Sequence, residues 1–525
     1  TAPPLHRAGT LRKRGAMLSV FDQGPPAPCP APFNLAAHVL APAARVPDKV
    51  ALAVLGPARA ERWSYARLEA AVLGTATGLL RAGFAPGDLV LLRLDNTVDF
   101  PLAFLGAVAA GLVPVPLSAA LTEGEVARMA AALAPAGMLH DPALPAPEDD
   151  VARIDLSQLR GMRNLPPADY DLGDPDRLAY VVFTSGTSGT PRAVMHAHRA
   201  VWARRMMHAG WYGLTEGDRL MHAGAFNWTY TLGTGLLDPW SAGATALIPA
   251  PGTRAEALPL LMARHDATIF AAAPGVYRKL LKGWGATRAR SLRHGLSAGE
   301  KLTEATRAAW EAATGTTIHE AYGMSECSTF VSASPQAPAP PGTLGRPQPG
   351  RRVAILGEDG APVPLGEVGT IAIDRRDPGL MLGYMGAPEA GEARLEGDWF
   401  LTGDLGAMDE SGAIAYHGRA DDLMNAGGVR VSPAEVEAAL GAFPGIGAVA
   451  VTDVALKDQV RVIACFYTAE AEIEADRLEA FAAERLARWK QPRLYIRTEA
   501  LPTGPNGKLA RRRLRDDWEA ADGQA

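Results

Sequence analysis

A chain of 525 residues exceeds the size at which one hydrophobic core keeps growing, so two or more domains are expected. Charged residues make up 21% of it and the formal net charge is −5, which gives no basis for generic attraction to nucleic acid or to an anionic membrane and points to small-molecule partners. Cys29, Cys327 and Cys465 stand far apart without a CxxC pair, which argues against a disulfide framework or zinc site and suits a reducing cytoplasm.

The first sixteen residues, TAPPLHRAGTLRKRGA, hold four basic and no acidic side chains and lack an apolar segment. They read as a disordered basic arm rather than a targeting peptide, within an N-terminal stretch taken to residue 33. From Asn34 to Pro251, helical patterns such as SYARLEAAVLGTATGLLRAG alternate with short apolar runs such as LVLLRL and LAYVVFT. That alternation predicts an α/β fold of parallel sheets covered by helices. The uncharged run Phe100–Leu121 is long enough to cross a bilayer, but Pro114, Pro116 and Gly111 predict a buried helix followed by a short strand, VPVPL.

Gly- and Pro-rich sequence from Pro335 to Gly350 leads into β-rich sequence whose turn signals predict a small barrel or distorted sheet. After YHGRADDLMNAGGVRV the character changes again, with helix SPAEVEAALGAF, strands GAVAVTDV and VRVIACFY, and helix ADRLEAFAAERLARW. The expected organisation is a large domain over 34–418, a joint at 419–422 and a small mobile α+β domain over 423–525.

Between Phe183 and Val194 the chain reads FTSGTSGTPRAV. Free backbone amides, closely spaced hydroxyls and a cation at the exit make a cradle for phosphate oxygens. It is not a Walker loop, because Gly189 is followed by Thr190, Pro191 and Arg192 where GKS or GKT would be needed. Further along, SAGEKL offers Gly299 and Glu300 to flank a flat base, and EAYGMSEC places Tyr322, Ser325 and Glu326 within five positions. WFLTGDLG puts Asp404 after a Thr-Gly turn, where a carboxylate can accept from both hydroxyls of a ribose. GRADDLMNAGGVR holds Arg419, Asp421, Gly427, Gly428 and Arg430, and LPTGPNGKLARRRLR presents Lys508 on a turn.

Taken together these motifs make the chain from about Asn34 to Trp518 resemble the adenylate-forming superfamily of acyl-CoA synthetases, adenylation domains and luciferases. Within it, the sequence is most similar to the acetyl-CoA and medium-chain acyl-CoA synthetase branch, on Asn425, on the spacing of Trp228 from DPWSAGAT, and on the ending GKLARRRLRDDWE. The resemblance implies an AMP-forming acid–thiol ligase that uses ATP, Mg²⁺ and coenzyme A. A carboxylate attacks the α-phosphorus of ATP and expels pyrophosphate; the CoA thiol then displaces AMP. Like charges 4 Å apart cost about 4 kcal/mol at an effective dielectric near 20, so such a site must supply cations and amides in advance.

On that resemblance Thr184, Ser185, Gly186, Thr187, Ser188, Gly189 and Arg192 wrap the β- and γ-phosphates, and Glu326 holds Mg²⁺. Tyr322 stacks on adenine, Gly299 and Glu300 line its edge, and Asp404 with Arg419 takes the ribose. Ser325 lies near the α-phosphate, and Lys508 bridges it to the attacking carboxylate. Asp421 matches the hinge, Gly427 and Gly428 let the pantetheine arm approach, and Arg430 serves a phosphate in the adenylating pose. Acetylation of Lys508 by a lysine acetyltransferase, reversed by a deacetylase, would act as an off-switch. A homo-oligomer is compatible with all of this.

The chain departs from the family pattern at Arg192 and Ala193, where Lys-Gly is usual, and at Met324 and Ser325, where Gln-Thr is usual. Gly323 stands where acetate-specific relatives carry tryptophan. With Trp228, Tyr230 and Met324 it is expected to leave an open pocket for a medium-chain, branched or aromatic acid. The residues leave alternatives open: an enzyme that adenylates a carboxylic or amino acid for a carrier protein, a luciferase-like oxygenase, or a non-catalytic nucleotide-binding protein on the same fold. An amino-acid substrate would want an aspartate near Phe226, where Asn227 is neutral.

Overall fold

The computed structural model describes residues 12–13, 16–56, 58–147, 151–184, 192–285, 289–420, 422, 424–426, 429–455, 461–503 and 509–522. Its centre is a nine-stranded sheet. Six neighbouring strands run parallel, in the spatial order Ile318–Met324, His294–Ala298, Ile269–Ala272, Arg219–Ala223, Thr245–Pro249 and Val50–Leu55. Antiparallel strands close both edges, Ala60–Ser64 on one side and Ser328–Ser332 with Arg346–Pro347 on the other. A second, all-parallel sheet takes Val113–Pro116, Leu89–Arg93, Gly137–His140 and Ala152–Asp155.

The run that mimics a membrane span resolves as expected from its prolines and glycine. Residues 99–109 form a helix whose every residue is buried, followed by the strand Val113–Pro116. It is apolar on all sides because protein surrounds it. Asp99, the one charge on that helix, is buried against Arg160 at 2.9 Å and Arg163. Among the described residues, no helix is long and apolar enough to cross a membrane.

Two expectations need correction. LAYVVFT is a strand, Leu178–Thr184, but it is not part of a parallel sheet: it pairs antiparallel with Arg192–Ala197, which in turn pairs with Gly383–Tyr384. The two long strands are the arms of a hairpin, a connection only antiparallel strands can make. Likewise the N-terminal arm ends earlier than residue 33. Leu18, Val20 and Phe21 are buried, and Val20–Phe21 pairs with Val353–Ala354, because this short apolar stretch completes the sheet expected near residue 353. That sheet is antiparallel, built from Leu395–Glu396, Trp399–Met408, Gly369–Asp374, Val353–Leu356 and Val20–Phe21, with Ile414–Arg419 added beside Trp399–Met408.

The C-terminal unit is the expected α+β piece. Ala448–Ala455 pairs antiparallel with Arg461–Thr468, Leu494–Arg497 adds parallel, and helices Pro433–Leu440, Ala475–Ala483 and Arg511–Asp522 belong to it.

A buried ion pair ties distant parts of the large domain together. Arg204 donates to Asp238 through Nε at 2.8 Å and Nη2 at 2.6 Å, Tyr212 donates to the same carboxylate at 2.7 Å, and Arg204 Nη1 reaches Ser328 Oγ. Both charges are almost wholly buried. Removing one partner leaves the other uncompensated, so Asp238→Ala is expected to cost about 3–5 kcal/mol. Denaturant melts of the purified variant check this; a midpoint equal to that of the parent protein would contradict it.

Candidate active site

In open parallel sheets, ligands bind beyond the carboxyl ends of the strands. Three strands of the central sheet deliver expected site residues there. His294–Ala298 runs into Gly299 and Glu300, Ile318–Met324 ends in Tyr322, Gly323 and Met324, and Arg219–Ala223 leads to Trp228 and Tyr230. Gly299 adopts φ +95°, and a Cβ there would stand 2.8 Å from the Trp228 ring, so glycine is needed twice over.

The second contribution comes from the antiparallel sheet. Asp404 and Arg419 lie directly opposite each other on paired strands, with Arg419 Nη1 3.7 Å from Asp404 Oδ1. The Tyr322 hydroxyl donates to Asp404 Oδ2 at 2.6 Å. Burial first, then the Asp404 charge, raises the Tyr322 pKa well above its ordinary value, so the phenol stays a donor. The Tyr322 ring meets Phe330 edge-on, at 5.2 Å and 70°, and Tyr416 at 5.8 Å. The expected Thr-Gly turn is not there: Gly403 takes φ +78° inside the continuous strand Trp399–Met408, where the pairing with Gly369–Asp374 shifts register, so glycine serves an irregularity in a strand that aims Asp404.

The residues expected at the phosphate end are described in part. Thr184 and Arg192 are register partners, so the hairpin holds the two ends of the expected phosphate loop side by side. Ser185, Gly186, Thr187, Ser188 and Gly189 lie outside the described residues. Arg192 places its guanidinium 5.2 Å from the centroid of the Tyr384 ring. The Tyr384 hydroxyl donates to Glu326 Oε1 at 2.6 Å, and Arg394 Nη1 donates to the same oxygen at 2.9 Å. Glu326 is buried, and Ser325 beside it is half-buried. Tyr384, Arg394 and Tyr416 escaped the sequence reading because nothing local marks them; Arg394 meets Glu326 across 68 positions.

Among the described residues, no cluster of three or more metal-ligating side chains occurs. A lone carboxylate with one oxygen outside the Tyr384 and Arg394 bonds still fits Mg²⁺, which is commonly bound through one or two carboxylates and the phosphates of its nucleotide.

Gly323 lies hard against backbone. A Cβ on Gly323 would stand 2.1 Å from the Ser328 carbonyl oxygen and 2.4 Å from Thr329 Cα. Residue 323 therefore points its missing side chain at the neighbouring strand, which leaves no room for a larger residue unless that backbone shifts. Trp228 and Tyr230, the aromatics expected beside the acid, are perpendicular rings 5.4 Å apart. Tyr230 is buried and donates to Leu296 O at 3.1 Å, over a patch that includes Ala271, Ala298 and Ala321. Met324 and Glu300 are half-buried near the same strand ends.

The order of these features along the chain has a match. Residues 40–385 match the family described as AMP-binding enzyme, and residues 435–508 match the AMP-binding enzyme C-terminal domain. The chain belongs to the AMP-binding enzyme family. This family member is 30% identical over 491 residues to a 3-hydroxybenzoate–CoA ligase of Aromatoleum sp. strain CIB, covering 88% of this chain and 93% of that one. It is 31% identical over 494 residues to a 3-hydroxybenzoate–CoA/4-hydroxybenzoate–CoA ligase of Thauera aromatica, covering 87% and 92%. The structure superposes on a benzoate CoA ligase from Burkholderia xenovorans with a TM-score of 0.81 and 27% identity, over 92% of this chain and 100% of that one. The AMP-binding enzyme described here is an acyl-CoA synthetase of the adenylate-forming superfamily, an AMP-forming acid–CoA ligase that uses ATP and coenzyme A.

Asp421, Gly427, Gly428 and Lys508 lie outside the described residues, as does the side chain of Arg430, whose backbone forms part of the strand Val429–Val431. For the residues that are described, Asp404 gives the plainest test. Asp404→Ala is expected to raise the KM for ATP by about ten- to a hundredfold, since a hydrogen bond to a charged acceptor is worth about 1.5–3 kcal/mol. Calorimetric titration with ATP checks it, and an unchanged affinity would contradict the ribose assignment.

Proposed function

We propose that this ligase activates an aromatic monocarboxylic acid, with branched and medium-chain acids as poorer substrates, and that it works in the cytoplasm. The observation that carries the reading is the join between two surfaces. Tyr322, which donates to Asp404 opposite Arg419, ends one strand of the central sheet, and two other strands of that sheet lead to Gly299 and to the Trp228–Tyr230 pair. Aromatic side chains beside small residues offer apolar and π surface, which suits a ring acid. The hydroxybenzoate and benzoate ligases among its relatives support the same class.

The chemistry divides into two displacements. In the first, a carboxylate oxygen bonds to the α-phosphorus of ATP as the bond to pyrophosphate breaks. Lys508 holds both anions, Thr184 to Arg192 holds the departing phosphates, and Glu326 would hold Mg²⁺, whose charge would offset theirs when bound. Ser325 donates near the α-phosphate and Arg430 adds charge in this pose. In the second, the CoA sulfur bonds to the acyl carbon, the acyl–phosphate bond breaks, and AMP leaves. Rotation at the 419–422 joint about Asp421 exchanges Lys508 for the Gly427–Gly428 face between the two steps. Acetylation of Lys508 would stop the first step alone.

The reading is tested with purified protein, ATP, Mg²⁺ and CoA against benzoate, hydroxybenzoates, hexanoate, octanoate and acetate. The expected order of kcat/KM puts the ring acids first. An order led by octanoate would overturn the substrate class while keeping the reaction.

A further inference from the structure

Glu326 marks the phosphate end of the site and Asp404 the ribose end, and one side chain outside every motif engages both regions. Arg394 lies between the short helix Pro388–Glu392 and the strand Leu395–Glu396. Its Nη1 donates to Glu326 Oε1 at 2.9 Å and to the Tyr384 hydroxyl oxygen at 2.9 Å. Its Nε donates to Leu401 O at 2.9 Å, and its Nη2 donates to Thr402 O at 2.5 Å. Thr402 carries the connection onward: its Oγ1 accepts from the Asp404 amide at 3.1 Å and donates to Ile371 O at 2.7 Å. The guanidinium is mostly buried and lies 4.6 Å from the centroid of the Phe400 ring, which fixes its plane.

We propose that Arg394 is a positioning residue for ATP, a rigid fork that sets the distance between the phosphate-facing carboxylate and the ribose-facing one. The inference rests on reading Glu326 and Asp404 as nucleotide contacts. Three features carry it. The fork engages Glu326 through one oxygen only, so the carboxylate is oriented while its second oxygen is left outside that bond. Its remaining donors grip backbone carbonyls two and three positions ahead of Asp404, on the strand that aims it. Finally, Tyr384 joins the same oxygen of Glu326 to Arg192 at the exit of the phosphate loop, so the loop, the carboxylate and the ribose strand share one network. A lysine could not substitute, because one ammonium on a flexible stem cannot span Glu326 and two carbonyls in a fixed plane.

The test measures ATP binding by calorimetry without acid, together with separate KM values for ATP and for the acid. In Arg394→Met, ATP affinity is expected to fall by about ten- to a hundredfold, the span of a lost charge-assisted bond, while KM for the acid stays within about twofold of that of the parent. Arg394→Lys is expected to show a smaller but measurable loss in the same direction, and Tyr384→Phe likewise. Parent-like ATP affinity in Arg394→Met or Arg394→Lys would overturn the proposal, as would equal losses toward ATP and acid. If Arg394→Met does not fold, Arg394→Lys and Tyr384→Phe decide the matter by the same criteria. Glu326→Gln and Asp404→Ala separate the two levels of the argument. Should neither of those weaken ATP binding, the underlying site reading fails; should both weaken it while the Arg394 variants do not, the positioning role alone fails.

Discussion

Lys508→Ala is expected to lower acyl-adenylate formation by at least about 10²- to 10³-fold, the effect of removing one preorganised charge stabiliser from a transition state, while the thioester-forming half continues near its normal rate. The asymmetry follows from the chemistry. Only the first displacement brings a free carboxylate against the α-phosphate, and only there does an ammonium have two anions to bridge. Supplied with pre-made benzoyl-adenylate and CoA, the variant should release AMP and thioester, and a bulky substitution at Gly428 should give the opposite pattern. Equal loss of both halves would show that Lys508 serves both orientations; full adenylation would remove Lys508 from the site.

Gly323→Trp is expected to destroy activity toward every acid rather than to redirect it toward acetate. A Cβ at this position already stands 2.1 Å from Ser328 O and 2.7 Å from Ser328 C, and these are backbone atoms of a paired strand that cannot rotate away. The pairing between Tyr322 and Met324 and the facing strand is already irregular at Gly323. Forcing side chains into well-packed regions typically costs about 1–3 kcal/mol, and here the strain falls on the segment that carries Tyr322, Ser325 and Glu326. Activity across an acid panel and a thermal melt, run together, check it. A stable variant with improved acetate turnover would support the pocket-opening role that the sequence alone suggested for Gly323.

The described site residues show what a sequence reading can single out and where it stops. Tyr322, Asp404 and Arg419 could be singled out because each sits in a short motif with its own local signal: an aromatic before a hydroxyl and carboxylate, a Thr-Gly pair before an aspartate, a basic residue at the expected joint. The structure brings all three into one group. The setting of Gly323 was not legible, because sequence shows that a side chain is absent and not the direction in which it would have pointed. A strand period of two residues, interrupted by a register shift, decides that direction. Arg394 was invisible for a different reason. It makes its contact through a loop and a sheet edge, and its neighbours GEA and LEG carry no pattern that ties it to Glu326.

The same contrast holds for the fold. The alternation of helices with short apolar strands predicted the parallel sheets, and the prolines in VPVPL correctly separated a buried helix from its strand. What periodicity could not supply was the partner of each strand. LAYVVFT has the apolar look of a buried parallel strand yet lies in a hairpin, and the stretch from Leu18 to Phe21 looks like part of a tail yet completes a sheet more than 300 positions away. Strand direction and pairing are set by connections and by the rest of the core, which short windows do not contain.

The most direct measurement follows the nucleotide and the thioester together. Purified protein is given ATP, Mg²⁺, CoA and benzoate or 3-hydroxybenzoate, and AMP, ADP, pyrophosphate and acyl-CoA are quantified by chromatography and mass spectrometry over one time course. An AMP-forming acid–CoA ligase that takes ring acids should yield AMP, pyrophosphate and aroyl-CoA in equal amounts, with no ADP and no nucleotide turnover when the acid is left out. Formation of ADP with phosphate, or acid-independent release of AMP at the same rate, would contradict it.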